Sequence, residues 1–319
     1  MIKVAVFGAD SPDAGELIRI LAGHPDVEPV AAQASGLEGI PLHSRHHGLI
    51  GETSLAFSNT ADISRADVAF LCGRDIPAGL AASIRDRKPD IKVIDLSRTT
   101  APIAPALEEG TVYALPEINR KALVRGAMSA RVPSPFASLA LVPLFPLALN
   151  LLLGDDIKIR ITAPEEIIAD HDPKSLSEEI KKQLKEIQNS FNADIDIEMA
   201  PANSRRSAIL SLECPCQIDL EHLRNIYSVY DDHNFAFPTM QPVGVAEVAG
   251  TDKCVFTISK PDTDTLRIEA VADCRLRGGA GEAVHVMNLM FGLHEKTGLR
   301  LKAIDFSPID AEGDVKSEN

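Results

Sequence analysis

The chain has 319 residues, enough for two domains that each bury a core. Its hydrophobic fraction of 45% with 24% charged residues excludes long disorder and decides little else. A formal net charge of −14 argues against nucleic acid as a partner and repels a doubly charged anion from a distance, so any phosphate site has to be a local concentration of Arg and Lys.

Residues 2–7 (IKVAVF) form a short apolar run that ends at Gly8-Ala9-Asp10-Ser11, and helical spacing follows over 13–21. This predicts strand, turn and helix, with Asp13 as the N-cap. Further strands are predicted at 27–32, 67–71 and 91–96, with a helix at 78–87 between the last two. Strands alternating with helices predict an α/β fold with a Rossmann-like, doubly wound parallel sheet, which binds ligands beyond the carboxyl ends of its strands.

The first turn is where a dinucleotide would sit, its pyrophosphate on the helix N-terminus. The chain keeps Gly8 but has Ser11 and Ala14 at the next two glycine positions, and adds Asp10, Pro12 and Asp13. Proline removes an amide donor, and carboxylates occupy the place of an anion. Two readings stay open here, a self-capped turn without a ligand and a weakened cofactor site. After the second strand, Gln33-Ala34-Ser35 offers no acid for a ribose hydroxyl, so the phosphorylated cofactor is the better fit, with Ser35 and Arg45 as contacts. His43, His46 and His47 cluster beside Arg45, and without a nearby acid or thiol a solvated loop outweighs a metal site.

Arg131-Val132-Pro133-Ser134-Pro135-Phe136-Ala137-Ser138 is a tight turn that opens into a helix apolar on nearly every side. Turns of this kind carry nucleophiles in many α/β enzymes; this one offers two hydroxyls, Ser134 and Ser138, and no thiol. Beyond residue 147 the pattern changes. Strands are predicted at 157–161, 193–199, 207–217, 254–259 and 265–272, and helices at 173–189 and 220–230. This grouping predicts a second, α+β domain with an antiparallel sheet covered on one face. Asp273-Cys274-Arg275-Leu276-Arg277-Gly278-Gly279-Ala280 brings two arginines to a glycine pair at the start of a helix over 278–293, which suits an anion or solvated charges at a domain junction. Arg205-Arg206 could hold a carboxylate or phosphate, or stand as a surface pair.

The five cysteines are odd in number and lie in apolar runs, as expected of buried thiols in a reducing compartment, and the cytoplasm is the default location. Cys214 and Cys216 share a strand face, but no second ligand pair follows, so two small core residues outweigh a metal pair. No apolar run reaches the roughly 18 residues of a membrane span. The tail 310–319 reads as disordered.

These segments together resemble a known family. Residues 16–19 (ELIR), 24–28 (HPDVE), 93–97 (VIDLS), 112–120 (VYALPEINR), 278–284 (GGAGEAV) and 287–292 (MNLMFG) are similar to N-acetyl-gamma-glutamyl-phosphate reductase and, more distantly, to aspartate-semialdehyde dehydrogenase. The resemblance implies a dinucleotide-binding-like domain over 1–147 plus 278–309 and a dimerisation domain over 148–277. It also implies NADP as cofactor, a homodimer or homotetramer, and a small-molecule ligand. No metal, nucleic acid or membrane is implied. Family members reduce an acyl phosphate to a semialdehyde through a cysteine thioester, with a histidine as acid and base. The resemblance places the family's cysteine on Pro135, and the histidine on Glu198 or Arg206. Ser134 and Arg206 remain weak catalytic candidates; Gly8, Ser11, Ser35, Arg277 and Gly278 are the cofactor candidates, and Arg205 and Arg206 the anion candidates. A noncatalytic, binding or scaffolding family member is the favoured expectation. The alternative is an active NADP-dependent oxidoreductase of arginine or aspartate-family biosynthesis.

Overall fold

A computed structural model describes residues 1–74, 76–98, 107–154 and 156–304. The proposed disordered tail, 310–319, lies outside them. The described residues divide into two compact units, Met1–Ser138 with Gly278–Leu299, and Leu139–Arg277 with 300–304. The boundary falls inside a helix, after Ser138, rather than near residue 147.

The first unit is built on an all-parallel sheet of six strands: β1 (Ile2–Phe7), β2 (Val27–Gln33), β3 (Val68–Leu71), β4 (Lys92–Asp95), β5 (Thr111–Tyr113) and β6 (Ser129–Arg131). Their spatial order is β2-β1-β3-β4-β6-β5. The chain therefore leaves β1 toward one side and returns to β3 on the other, and the switch point lies between the ends of β1 and β3. All four residues of β3 are buried, as a strand covered on both faces requires. Phe7, Ala69, Leu71, Ile84 and Val93 belong to one core cluster on this sheet.

Among the described residues the unit is completed by α1 (Pro12–Ala22), α2 (Leu80–Arg87), α3 (Pro116–Val124), the first turn of α4 (Pro135–Leu149) and the late helix α8 (Ala280–Met290). Every residue of α8 is buried; it packs on α1 and α3, and its Asn288 side chain meets His24 Nε2 at 3.0 Å. The helix predicted over 278–293 is thus shorter at both ends, because Gly278 adopts φ +61° and Gly292 φ +70°.

The second unit carries a six-stranded mixed sheet in the order β10-β11-β12-β9-β7-β8. These strands are β7 (Ile157–Ala163), β8 (Ile195–Pro201), β9 (Ser207–Pro215), β10 (Ala236–Thr239), β11 (Cys254–Ser259) and β12 (Thr265–Asp273). The centre is antiparallel as expected, while β7 with β8 and β10 with β11 run parallel. Parallel neighbours need a long crossover. Between β7 and β8 it is made by α5 (Glu165–Ile168) and α6 (Pro173–Ile187); between β10 and β11 it is the stretch 240–253.

The body of α4 contains Pro143 and Pro146. Pro146 has no N–H for the carbonyl of Val142, four residues back. The hydroxyl of Tyr230 donates to that oxygen at 2.7 Å, and Tyr227, on α7 (Leu220–Tyr227), donates to the Pro143 carbonyl at 2.7 Å. Tyr230 therefore satisfies a carbonyl that Pro146 leaves without its helical donor, and both tyrosine rings pack on Phe256.

Candidate functional site

The ligand face of the first unit is made by turns at the ends of β1, β3, β4 and β6. Gly8 sits at φ +65°, and a Cβ there would lie 2.1 Å from the Cys72 carbonyl oxygen, so only glycine fits. Gly73, at φ +82°, brings the β3 turn against Ser11, whose Cβ would be 3.0 Å from an added methyl. The two turns at the switch point thus touch.

Ser11, not Asp13, is the N-cap of α1: its Oγ accepts from the Ala14 amide at 3.2 Å. Pro12 fills the first helical position and Asp13 lies in the first turn. The reason is steric as well as electronic. Proline at the first position fixes φ for helix entry, which makes the preceding serine the cap. Beneath the turn, His46 Nε2 bonds the Ala9 carbonyl oxygen at 2.7 Å, and a Cβ on Gly15 would lie 2.5 Å from His46 Nδ1. His46 therefore belongs to the packing of the turn. Among the described residues no group of three or more His, Cys, Asp or Glu is arranged to hold a metal ion.

Ser35 lies exposed in the turn after β2, where the adjacent Gly36 amide donates to Asn59 Oδ1 at 2.8 Å. Arg45 is exposed as well. An acid does stand in this loop: Glu38 accepts the Asn59 amide at 2.5 Å and the Ser58 hydroxyl at 3.2 Å.

The turn before α4 repeats the design of the first one. Ser134 Oγ accepts from the Ala137 amide at 3.2 Å, and Pro135 opens the helix. Ser138 is wholly buried and donates to Glu282 Oε2 at 3.0 Å, an oxygen that also accepts the Gly278 amide at 2.7 Å. A Cβ on Gly278 would fall 2.4 Å from Pro135 Cα. The start of α4 and the approach to α8 are pressed backbone to backbone.

Arg98, which sequence reasoning passed over, ties these turns together. Its backbone N–H donates to the Gly73 carbonyl at 2.8 Å, and its guanidinium donates to the carbonyls of Pro133 and Gly278. Its Nε lies 3.9 Å from Asp13 Oδ2, and the side chain is only 9% exposed. The available signal was its place three residues after the β4 strand, which does not by itself distinguish a clamp from a solvated residue.

Neither Cys72, at the end of β3, nor Cys214, on β9, is set up for attack. Cys72 is buried, and that burial, with Asp13 and Asp95 adding to it and Arg98 opposing, holds its thiol well above the ordinary range. Burial likewise pushes the Cys214 thiol up to about 12.

In the second unit Arg206 donates from Nε to Asp273 Oδ2 at 2.6 Å, and the Gly250 amide reaches the same oxygen at 2.8 Å. Arg277 is wholly buried, its amide on the Asp273 carbonyl at 2.8 Å. Arg205 is exposed on the wall of an open cleft of about 710 Å³ shared with Pro164, Glu165, Glu166, Ala169 and Ser204. The predicted pair is therefore split, with Arg206 committed to Asp273 and Arg205 facing solvent.

A parallel, Rossmann-like sheet followed by a mixed sheet is the fold of the semialdehyde dehydrogenase class. Residues 3–125 match the semialdehyde dehydrogenase NAD binding domain family. Aspartate semialdehyde dehydrogenase II of Vibrio cholerae, solved in complex with ASA, superposes with a TM-score of 0.70 at 16% identity, covering 92% of this chain and 98% of that one. The Candida albicans enzyme, solved with NADP, gives 0.67 at 12% identity over 91% and 98%. In sequence, the chain is 33% identical over 326 residues to N-acetyl-gamma-glutamyl-phosphate reductase of Phocaeicola vulgatus, covering 96% of this chain and all of the relative. The Parabacteroides distasonis reductase is also 33% identical, over 328 residues. The chain belongs to the N-acetyl-gamma-glutamyl-phosphate reductase family.

Family membership carries nucleotide binding with it, and the turn can be tested for fit. Of the first three amides of α1, Pro12 has none and the Ala14 amide is taken by Ser11, while the Asp13 carboxylate stands beside them. Pro12 and Ala14 therefore offer no free amide to a pyrophosphate.

Proposed function

We propose that this chain is a ligand-binding member of the reductase family that has lost the thioester route and acts in a binding or scaffolding role. The observation that carries this reading is Pro135. The resemblance places the attacking sulfur there, and the ring is buried with its Cα against Gly278. The neighbouring hydroxyls are committed, Ser134 to the helix cap and Ser138 to Glu282. A thiolate is both strong nucleophile and good leaving group, and an unactivated serine hydroxyl is neither. We further propose a homodimer or homotetramer in a reducing, cytoplasmic compartment, with a weakened NADP site.

The competing reading is an active NADP-dependent reductase of an acyl phosphate in amino-acid biosynthesis, working without a covalent enzyme intermediate. It is favoured by the identity of 33% across 96% of the chain to proteins named for that activity. Phosphate-dependent NADP reduction separates the two, measured with N-acetylglutamate semialdehyde and with aspartate semialdehyde. The expected rate is that of the buffer. Turnover above that rate overturns the noncatalytic reading, and its loss in Ser134→Ala would assign the attack to that hydroxyl.

A further inference from the structure

The misfit at α1 has a specific author in the structure. Asp13 is 18% exposed at its side chain, and Arg98 beside it is 9% exposed. A nearly buried guanidinium requires a counter-charge. The Pro133 and Gly278 carbonyls accept its hydrogen bonds but carry no net charge, and Asp13 brings a carboxylate within ion-pair reach. At 3.9 Å from Nε the pair is Coulombic rather than a direct hydrogen bond. The same carboxylate lies in the first turn of α1, where a negative charge is stabilised by the helix dipole. Asp13 therefore satisfies both partners that would otherwise receive an incoming anion.

We propose that Asp13 is a built-in competitor for the pyrophosphate of a nicotinamide dinucleotide, occupying Arg98 and the start of α1 and lowering affinity for the cofactor. Arg98 is the positioning residue of this device. Through it the turns after β1, β3 and β6 and the approach to α8 keep their arrangement without a nucleotide. The inference rests on the noncatalytic reading for its biological sense, but its test is a binding measurement that turnover does not enter.

The experiment is titration of NADPH and of ADP, by fluorescence and calorimetry, into the wild-type chain, Asp13→Asn, Arg98→Gln and the double variant at low salt. The Asp13→Asn protein is expected to bind both probes at least about tenfold more tightly than wild type, a change of about 1.4 kcal/mol. The double variant is expected to lose that gain, because the freed guanidinium is what receives the anion. Thermal melts verify folding, and Asp13→Ser and Arg98→Met replace any variant that does not fold. Equal affinities in wild type and Asp13→Asn overturn the proposal, as does a gain that survives Arg98→Gln. Absence of binding to all four proteins overturns it too. A wild-type protein that turns over substrate, with Asp13→Asn still tightening binding, would sink the noncatalytic reading alone.

Discussion

The starts of α1 and α4 are two versions of one construction. Each follows a strand of the parallel sheet, each is capped by a serine whose Oγ takes the amide three residues on at 3.2 Å, and each has proline next. A helix N-terminus facing a crevice is ordinarily a donor surface for a ligand. Here both are closed by their own side chains. They differ in what lies against them. At α1 the closure is electrostatic, with Asp13 near Arg98. At α4 it is steric, with Gly278 against the backbone of Ser134 and Pro135. One removed charge can open the first, while the second can be opened only by moving the chain.

The most damaging way to test the steric closure is Gly278→Ala. The new methyl meets the Pro135 backbone at a φ of +61°, so overpacking and left-handed strain add. A loss of about 3 kcal/mol is expected, read as a fall in the urea midpoint at unchanged slope. A loss below about 1 kcal/mol would mean that the contact relaxes easily and that α4 is not sealed there. Next in size is Tyr230→Phe, expected to cost about 2 kcal/mol by stranding the Val142 carbonyl that Pro146 cannot serve. An equal melting temperature for Tyr230→Phe and wild type would place water, rather than the tyrosine, on that carbonyl.

The sheet of the first unit was legible because β1, β3 and β4 are short, apolar and separated by helical spacing. β5 and β6 were not, since three residues apiece carry no period, and Ser129 and Arg131 are poor strand formers held by pairing to β4 and β5. The parallel edges of the second sheet escaped notice for a different reason. Alternation reports which face is buried and says nothing of strand direction. At the site, Gly8 could be read from the turn after β1, and Pro135 from the family resemblance. Arg98 could not, because its partners Asp13, Pro133 and Gly278 come from three distant stretches. Arg205 and Arg206 are adjacent in sequence, yet only Arg206 finds Asp273, and that too is decided by tertiary position.

Removing the caps compares the two helix starts directly. Ser11→Ala and Ser134→Ala should each cost about 1 kcal/mol, the usual worth of an N-cap. The loss at α1 should shrink with added salt if charge from Asp13 and Arg98 shares in holding that end, whereas the loss at α4 should not. Equal salt dependence would remove the distinction between an electrostatic and a steric closure.

The smallest effect concerns the other end of α4. The Leu152 amide reaches back to the Leu147 carbonyl at 3.0 Å and the Leu151 amide to Ala148 at 3.0 Å, a Schellman ending in which Leu151 holds the left-handed position at φ +58°. Glycine normally sits there, because a Cβ costs about 1 kcal/mol in that conformation. Leu151 is also 67% exposed, so it recovers little by burial. Leu151→Gly should therefore stabilise the isolated chain by about 0.5 kcal/mol, the relief of strain being partly offset by the greater freedom of glycine when unfolded. If the substitution destabilises instead, and does so more at high protein concentration, the leucine is covered in an assembly of this chain, and the exposed end of α4 is where copies meet.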